Sequence, residues 1–432
     1  MNVGVQREVW KGTVLSADYL RNVGLHFLLA YDTNHVGDAR FLDTAAALNA
    51  ISATNNAKGC GTATDPAAIN CAISAGATIQ DYMGNGLDSG NNVASGFPCN
   101  GACAFGGVNQ AVGQNQMLFP MGRSVYNGLD LKLVSNVDHP IVGIKHLNYQ
   151  IAYSLSRFDS SAQDQDFINY AVDFNNVSKY NGANGLDRKH QFSAGAWMDL
   201  PYTTRIGFIT HWYSALPRSL FLPGDGNIFT SDLTGDGTFA GNTTGSQGDL
   251  LPGTNIGSFG RGVSVNDLRN LISQYNATIA GQTITPAGQA LVNAGLFTQS
   301  QLIALGATPQ PITAPPPGQV GMDGFFTFDL QLGWVLHPNK VLHAMPERVT
   351  IEPQFSFYNL FNHQNFDSPS QPLSGVLDGS VGSLNGTTRY NQSGCSSNPA
   401  LCTGQLNLTS IGTGVFALGA PRQIEWGIKV TF

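Results

Sequence analysis

Apolar and polar residues alternate along much of the chain, and the closing segment shows it most plainly. Ile424, Trp426, Ile428, Val430 and Phe432 are apolar, with Gln423, Glu425, Gly427, Lys429 and Thr431 between them. A period of two puts successive side chains on opposite faces of a strand, so the pattern predicts strands with one apolar face. The design recurs upstream. Phe326, Phe328, Leu330, Leu332, Trp334 and Leu336 alternate with Thr327, Asp329, Gln331 and Gly333, and Val349, Ile351, Phe355 and Phe357 alternate with Arg348, Thr350, Glu352, Gln354 and Ser356. Tyr149, Ile151, Tyr153 and Leu155 form another face, as do Leu129, Leu131 and Leu133. Phe192, Ala194, Ala196 and Met198 make a weaker one, followed by Ile206 and Phe208. Val3 and Val5, then Leu15, Ala17 and Tyr19, read as the first pair. Each segment offers the ~9–11 residues that a tilted strand needs to cross a bilayer. Pro353 lies inside its strand and removes a ladder donor, which predicts a bulge or a local break.

The connections fall into two classes. Short ones run through Glu8–Gly12, Asp138-His139-Pro140, Pro201-Tyr202-Thr203-Thr204 and His337-Pro338-Asn339-Lys340. The others are long, at about residues 33–122, 160–187, 218–321 and 361–421. Short turns at one end and long loops at the other are the asymmetry of an outer-membrane barrel, with the chain's C-terminus on the short-turn, periplasmic side. The expected fold class is therefore all-β: a transmembrane antiparallel β-barrel spanning residues 1–432, contributing about nine strands. Bacterial single-chain barrels have even strand numbers. Nine predicts the C-terminal portion of a larger barrel, with further strands and an N-terminal region upstream.

Composition supports that picture. Charged residues make up 11% of the 432 residues, against about 25% in a typical soluble protein. The mean hydropathy is only −0.06, because Gly (51 residues) and polar uncharged residues replace the missing charge. No run approaches the ~18 consecutive apolar residues of a spanning helix. A net charge of −7 with no basic block argues against nucleic acid as a partner. Outer-membrane lipid is the partner the apolar faces imply.

Six cysteines fall as three close pairs in Gly-, Asn- and Ser-rich stretches. They lack CxxC spacing and neighbouring His, so disulfides within extracellular loops are expected rather than zinc. Proximity suggests Cys60–Cys71, Cys99–Cys103 and Cys395–Cys402, while free thiols remain the alternative. The loop at 218–321 carries a helical insert over about 264–306: Leu268, Leu271, Ile272 and Tyr275 at helical spacing, then Thr285-Pro286 and Thr298 as caps, Gly306 as a terminator, and an extended Pro315-Pro316-Pro317 link. A packed lid or a ligand-gripping element would both fit.

In the same loop Asp232, Thr234 and Asp236 resemble the first half of a calcium loop, with Asp225 and Asp249 nearby. Thr243 stands where such a loop has Glu, and an ordinary Asx-and-Gly turn is the competing reading. Tyr126, Tyr149, Tyr153, Trp197, Tyr202, Trp212, Trp334 and Trp426 are expected at the membrane interfaces as aromatic girdles, the alternative being lumenal stacking on sugars. His139, His190, His211 and His363 are scattered outside any catalytic motif, and Asp130, Asp329, Glu352 and Glu425 fit lumenal positions. No enzymatic activity is expected.

These residues also carry a resemblance. The stretch Tyr358-Asn359-Leu360-Phe361-Asn362-His363-Gln364-Asn365-Phe366, followed by the closing Arg422–Phe432, resembles the C-terminus of Oar-like TonB-dependent outer-membrane receptors of the Acidobacteria type. Val125-Tyr126-Asn127-Gly128-Leu129, Asp187-Arg188-Lys189-His190-Gln191-Phe192 and the Thr285–Leu291 insert are similar to segments of the same group. The resemblance implies a 22-stranded barrel, an internal plug, and energy from the TonB complex reached through that N-terminal plug. It also implies that the barrel-assembly machinery reads the closing strand. The expected function is uptake or binding of an extracellular ligand; the alternative is a surface-exposed structural or adhesion barrel.

Overall fold

A computed structural model describes the chain except for residues 89–98, 163–169, 223–226, 239–247, 313, 315–321, 341–345, 347 and 366–420. One antiparallel sheet takes its long strands in chain order: β1 (Asn2–Trp10), β2 (Thr13–Asp32), β3 (Gln116–Asp138), β4 (His146–Ser160), β6 (His190–Asp199), β7 (Thr204–Tyr213), β8 (Phe325–Trp334), β9 (Thr350–Tyr358) and β10 (Gln423–Thr431). The two-residue β5 (Gly182–Ala183) pairs with the outer end of β4, so the sheet holds ten strands rather than nine. Among the described residues β1 pairs only with β2 and β10 only with β9, which leaves the sheet with two open edges.

Chain-order pairing puts all the tight connections at one end. Lys11-Gly12 turns β1 into β2, with Gly12 alone in the left-handed conformation (φ 74°) and a register shift between Glu8 and Trp10, as in a bulged hairpin turn. Trp10 and its neighbours, expected in that turn, instead complete β1. Residues 139–145, 200–203 and 335–349 make the other connections at this end.

β2, β3 and β4 are longer than the alternation suggested, at 20, 23 and 15 residues. At ~3.3 Å per residue, a strand of 20 or more residues far outruns a ~30 Å hydrocarbon layer even when tilted. The β2–β3 hairpin therefore projects beyond the membrane on the long-loop side. Its register shifts between Leu25 and Leu28, where His26 adopts φ 61°. This bulge breaks the alternation that sequence reading relies on.

Pro353 produces a break without a bulge. The β9–β10 register runs unbroken through Ile428↔Pro353, whereas the β8–β9 ladder stops at Gly333↔Gln354. It resumes, in the same register, at the reciprocal Leu336–Ile351 bonds. That parity points the proline nitrogen at β8, where its missing donor costs one rung.

Beyond the strands, the two largest loops share a core. The first loop carries α1 (Thr44–Ala57), α2 (Pro66–Ser74) and α3 (Ile79–Gly84); the third carries α4 (Val265–Thr278), α5 (Pro286–Asn293) and α6 (Gln299–Ala304). Ile51, Ile69, Tyr82 and Phe105 from the first loop pack with Phe229, Leu291 and Leu302 from the third, all nearly or fully buried. Backbone and side-chain bonds cross the same boundary: Ile79 N donates to Leu305 O (2.8 Å), and Gln301 Nε2 donates to Pro66 O (3.1 Å) and Asn70 Oδ1 (2.9 Å). A second cluster around Leu220, Leu251, Phe259, Leu268 and Ile272 extends the lid within the third loop.

Candidate functional site

Register divides the sheet into two faces. On one, Leu15, Leu133, Ile151, Ala194, Thr210 and Phe328 follow one another from β2 to β8, and Phe357 and Ile424 continue the face on β9 and β10. Large apolar side chains on this face stay exposed: Ile151 by 36%, Trp212 by 44% and Trp426 by 76%. An apolar surface of this extent is a lipid-facing surface. The opposite face carries Asp18, Asp130, Ser154, Gln191 and Asp329, the composition of a wetted lumen. Ile424, Trp426, Ile428 and Val430 stand together on the lipid face of β10, with Phe432 just beyond its end.

The girdle expectation needs correction at two residues. Tyr149, Tyr153, Trp212, Trp334 and Trp426 lie on the lipid face, and Tyr202 is in a tight turn, 93% exposed. Tyr126 and Trp197 fall on the lumenal face instead, because each shares parity with polar neighbours. Trp197 is not an open stacking platform, since the His146 ring lies 4.7 Å away and the Arg205 guanidinium 5.1 Å from its centroid. Arg205 is held in turn by Asp199 (2.8 Å) and Glu352 (3.4 Å). Beside them the lumenal wall leaves a hollow of about 420 Å³ lined by Asn148, Gln150, Asp329, Gln331 and Ser356. Gly195 and Gly207 form its floor, and a Cβ at either would meet nothing closer than 3.7 Å. Those glycines keep the wall concave; nothing packs against them tightly enough to require them.

The candidate calcium residues do come together. Asp232, Asp236 and Asp249 are almost wholly buried where three loops meet. Asp232 accepts from the amides of Gly235 (2.6 Å), Asp236 (3.3 Å) and Gly237 (3.0 Å). Asp249 accepts from the amides of Leu233 and Thr234 and from Thr234 Oγ1 (2.9 Å). Asp236 accepts from Thr238 and reaches across to the Phe174 amide of the second loop. A bridge to Asp38 ties in the first loop as well. Burial, then mutual repulsion, pushes the Asp232 and Asp249 carboxyls upward, Asp249 to about 8; burial also raises Asp236. All six carboxylate oxygens already accept hydrogen bonds, so the cluster satisfies itself as a web of Asx turns. Among the described residues no group of three or more His, Cys, Asp or Glu is arranged to hold a metal ion.

Cys60 is bonded to Cys71 and Cys99 to Cys103, with Cα separations of 5.8 and 5.7 Å. The first bridge staples the end of α1 to α2 inside the lid. Cys395 and Cys402 lie outside the described residues, as do Asp225, Thr243 and Pro315–Pro317. Sequence reading missed α1–α3. Their available signals were the capping residues: Asp43 bonded to the amides of Ala45 and Ala46, Asp65 directly before Pro66, and the Thr78–Asp81 capping box.

A sheet with one lipid-facing and one wetted face, tight turns at one end and folded loops at the other defines a membrane-spanning β-barrel protein. Comparison with known families agrees: the outer membrane beta barrel domain matches residues 1–392. The chain belongs to that family, and its place is the outer membrane. Among solved structures, the outer membrane transporter YddB from Escherichia coli is similar at 9% identity with a TM-score of 0.32. The likeness covers 84% of this chain and 28% of that one, so the chain spans under a third of the transporter's length. No curated protein matches.

Proposed function

We propose that this chain is the C-terminal barrel portion of a TonB-dependent receptor of the Oar-like type, taking up or binding an extracellular ligand. One observation carries the reading: two long loops, separated in the chain by strands β3 to β7, build a single lid with a shared buried core above the strand ends. A barrel that only fills the membrane needs no such structure, whereas a receptor needs a shaped external surface held in place. The lumenal hollow beside Trp197 gives the same barrel a polar inner wall along which a solute can pass.

In this reading energy comes from the TonB complex through an N-terminal plug encoded upstream. The barrel-assembly machinery reads the β10 residues Ile424, Trp426, Ile428, Val430 and the following Phe432. The chain performs no chemical step on its ligand, and calcium at Asp232, Thr234 and Asp236 is an optional addition rather than a requirement.

Sequencing in frame upstream of the Met1 codon tests the proposal. A plug domain and a TonB-contacting segment in the same reading frame are expected. A stop codon immediately upstream, with the chain still stable in outer-membrane fractions, overturns the receptor reading and favours a surface-exposed structural or adhesion barrel.

A further inference from the structure

The lumenal face of this sheet mixes both signs, with Glu8, Asp18, Asp130, Asp329, Glu352 and Glu425 beside Lys132, Arg205 and Lys429, while the lipid-facing side carries Arg7, Arg21, Arg123 and Arg157 with Asp159. Three of those arginines are placed together at the outer border of the apolar band. The apolar row Tyr19–Leu129–Leu155 is followed outward by Arg21–Asn127–Arg157, and beyond that row Val23 and Val125 stand beside Asp159. Arg123 stands further out on the same face of β3, opposite Leu25. At ~4.8 Å between strands, Arg21 and Arg157 flank Asn127 within about 10 Å of each other.

Their side chains face solvent. Arg21 Nη1 donates to Asn127 Oδ1 at 3.0 Å, and Tyr19 donates to the same oxygen at 3.1 Å. Among the described residues the one acid on this part of the face is Asp159, paired with Arg157 Nε at 2.7 Å, so the described arginines outnumber it. Bordering Arg157, a hollow of about 440 Å³ adds Lys189 and Arg261, the latter held by Asp187 at 2.7 Å.

We infer that the outward row Arg21–Asn127–Arg157, with Arg123 beyond it, docks the phosphorylated headgroup of an outer-leaflet lipid. Position selects this occupant. A molecule lying here has its anionic group against the arginines and its acyl chains along the apolar ladder directly below, which is the geometry of a lipid and not of a free anion. Arginine suits the role because its planar fork binds phosphate through paired donors. Basic residues at the border of an apolar band attract anionic lipid, each contributing several-fold to retention. The inference rests on the chain's place in the outer membrane and stands whether or not the barrel transports anything.

The test purifies the full chain from outer membranes in mild detergent and measures organic phosphorus per polypeptide. The triple variant Arg21→Gln, Arg123→Gln, Arg157→Gln is expected to bind on the order of a hundred-fold more weakly than wild type and to retain correspondingly less. The matching Arg→Lys triple variant is expected to retain most of it. Equal phosphorus in wild type and the Gln variant overturns the inference. Stripping of the wild type by millimolar inorganic phosphate overturns it too, because it assigns the site to a free anion. A second measurement needs no variant: wild type exchanged into micelles doped with phosphatidylglycerol or phosphatidylcholine is expected to retain the former preferentially, and equal retention rejects lipid-phosphate docking.

Discussion

Asp249 concentrates the physics of the lid into one residue. Its carboxyl is buried beside two others, and folding raises its pKa from the ordinary 3.8 to about 8. The folded state therefore binds this proton more tightly than the unfolded chain does. Its contribution to stability is complete below pH 3.8, declines as pH rises, and is lost on passing about 8. The lid should consequently resist thermal opening better at pH 6 than at pH 8, followed by proteolysis of the third loop against temperature. Asp249→Asn should weaken this dependence without abolishing it, because one opposing charge is gone while burial still raises Asp232 and Asp236. A calcium loop forecasts otherwise: millimolar calcium would restore stability at pH 8 and chelator would remove it. A lid indifferent to calcium, and as stable at pH 8 as at pH 6, would leave neither account standing. Pro353 makes a second residue-scale case. Its nitrogen faces β8, and Pro353→Val supplies the missing donor for that rung. A gain of about 0.5–1.5 kcal/mol is expected in denaturant unfolding; a loss would mean that the gap is needed.

At the scale of elements, the lid couples loops that are distant in the chain. Leu291 on α5 is fully buried in the cluster shared with the first loop, so Leu291→Ala should destabilise the lid by about 2–5 kcal/mol. Limited proteolysis should then cut both the 33–115 and 214–324 loops faster than in wild type, while the strands stay protected. Faster cutting of the third loop alone would show that the two fold separately. This coupling was hard to see in sequence. The strands were legible because alternation is a local signal: Ile424 to Val430 needs no neighbour to declare its face. The helices α4–α6 were legible from Thr285-Pro286, Thr298 and the spacing of Leu268 and Ile272. The helices α1–α3 were not, because Ala46, Ala47 and Ala50 bury as much of α1 as Ile51 does and give little contrast with the Asn, Ser and Thr around them. The outer half of β2 was hidden by Gly24 and the bulge at His26, where the period of two slips. The facing of Trp197 was readable from its own strand, because it alternates with Ala196 and Met198, but the weak apolar face of Phe192, Ala194 and Ala196 gave little contrast to read it by.

At the scale of the whole molecule, the two faces of the sheet are two solvents, and neighbouring residues on one strand should answer to them differently. Ile151 and Ala152 sit side by side near the middle of β4. Ile151 lies on the apolar ladder between Leu133 and Ala194; Ala152 lies between Lys132 and Ser193. An arginine at the first position must leave water for hydrocarbon, at a cost of about 2–4 kcal/mol near the midplane. An arginine at the second enters a face that already carries Lys132 and Asp130 and stays hydrated. Ile151→Arg is therefore expected to reduce the amount of folded chain recovered from outer membranes and to lower its resistance to denaturant, whereas Ala152→Arg should leave both near wild type. A soluble sheet with one wet face would give the same ranking by burying Ile151 in protein, so recovery of the wild type from outer membranes, and not the ranking alone, separates the two. The pair also tests the assignment of inside and outside, because a reversed sheet predicts the opposite ranking. The open edges at β1 and β10 do not disturb the comparison, since β4 lies well within the sheet, paired along its length by β3 and β6. Equal loss in both variants would mean that the two faces do not meet different solvents, and the placement of this sheet across a membrane would fall with it.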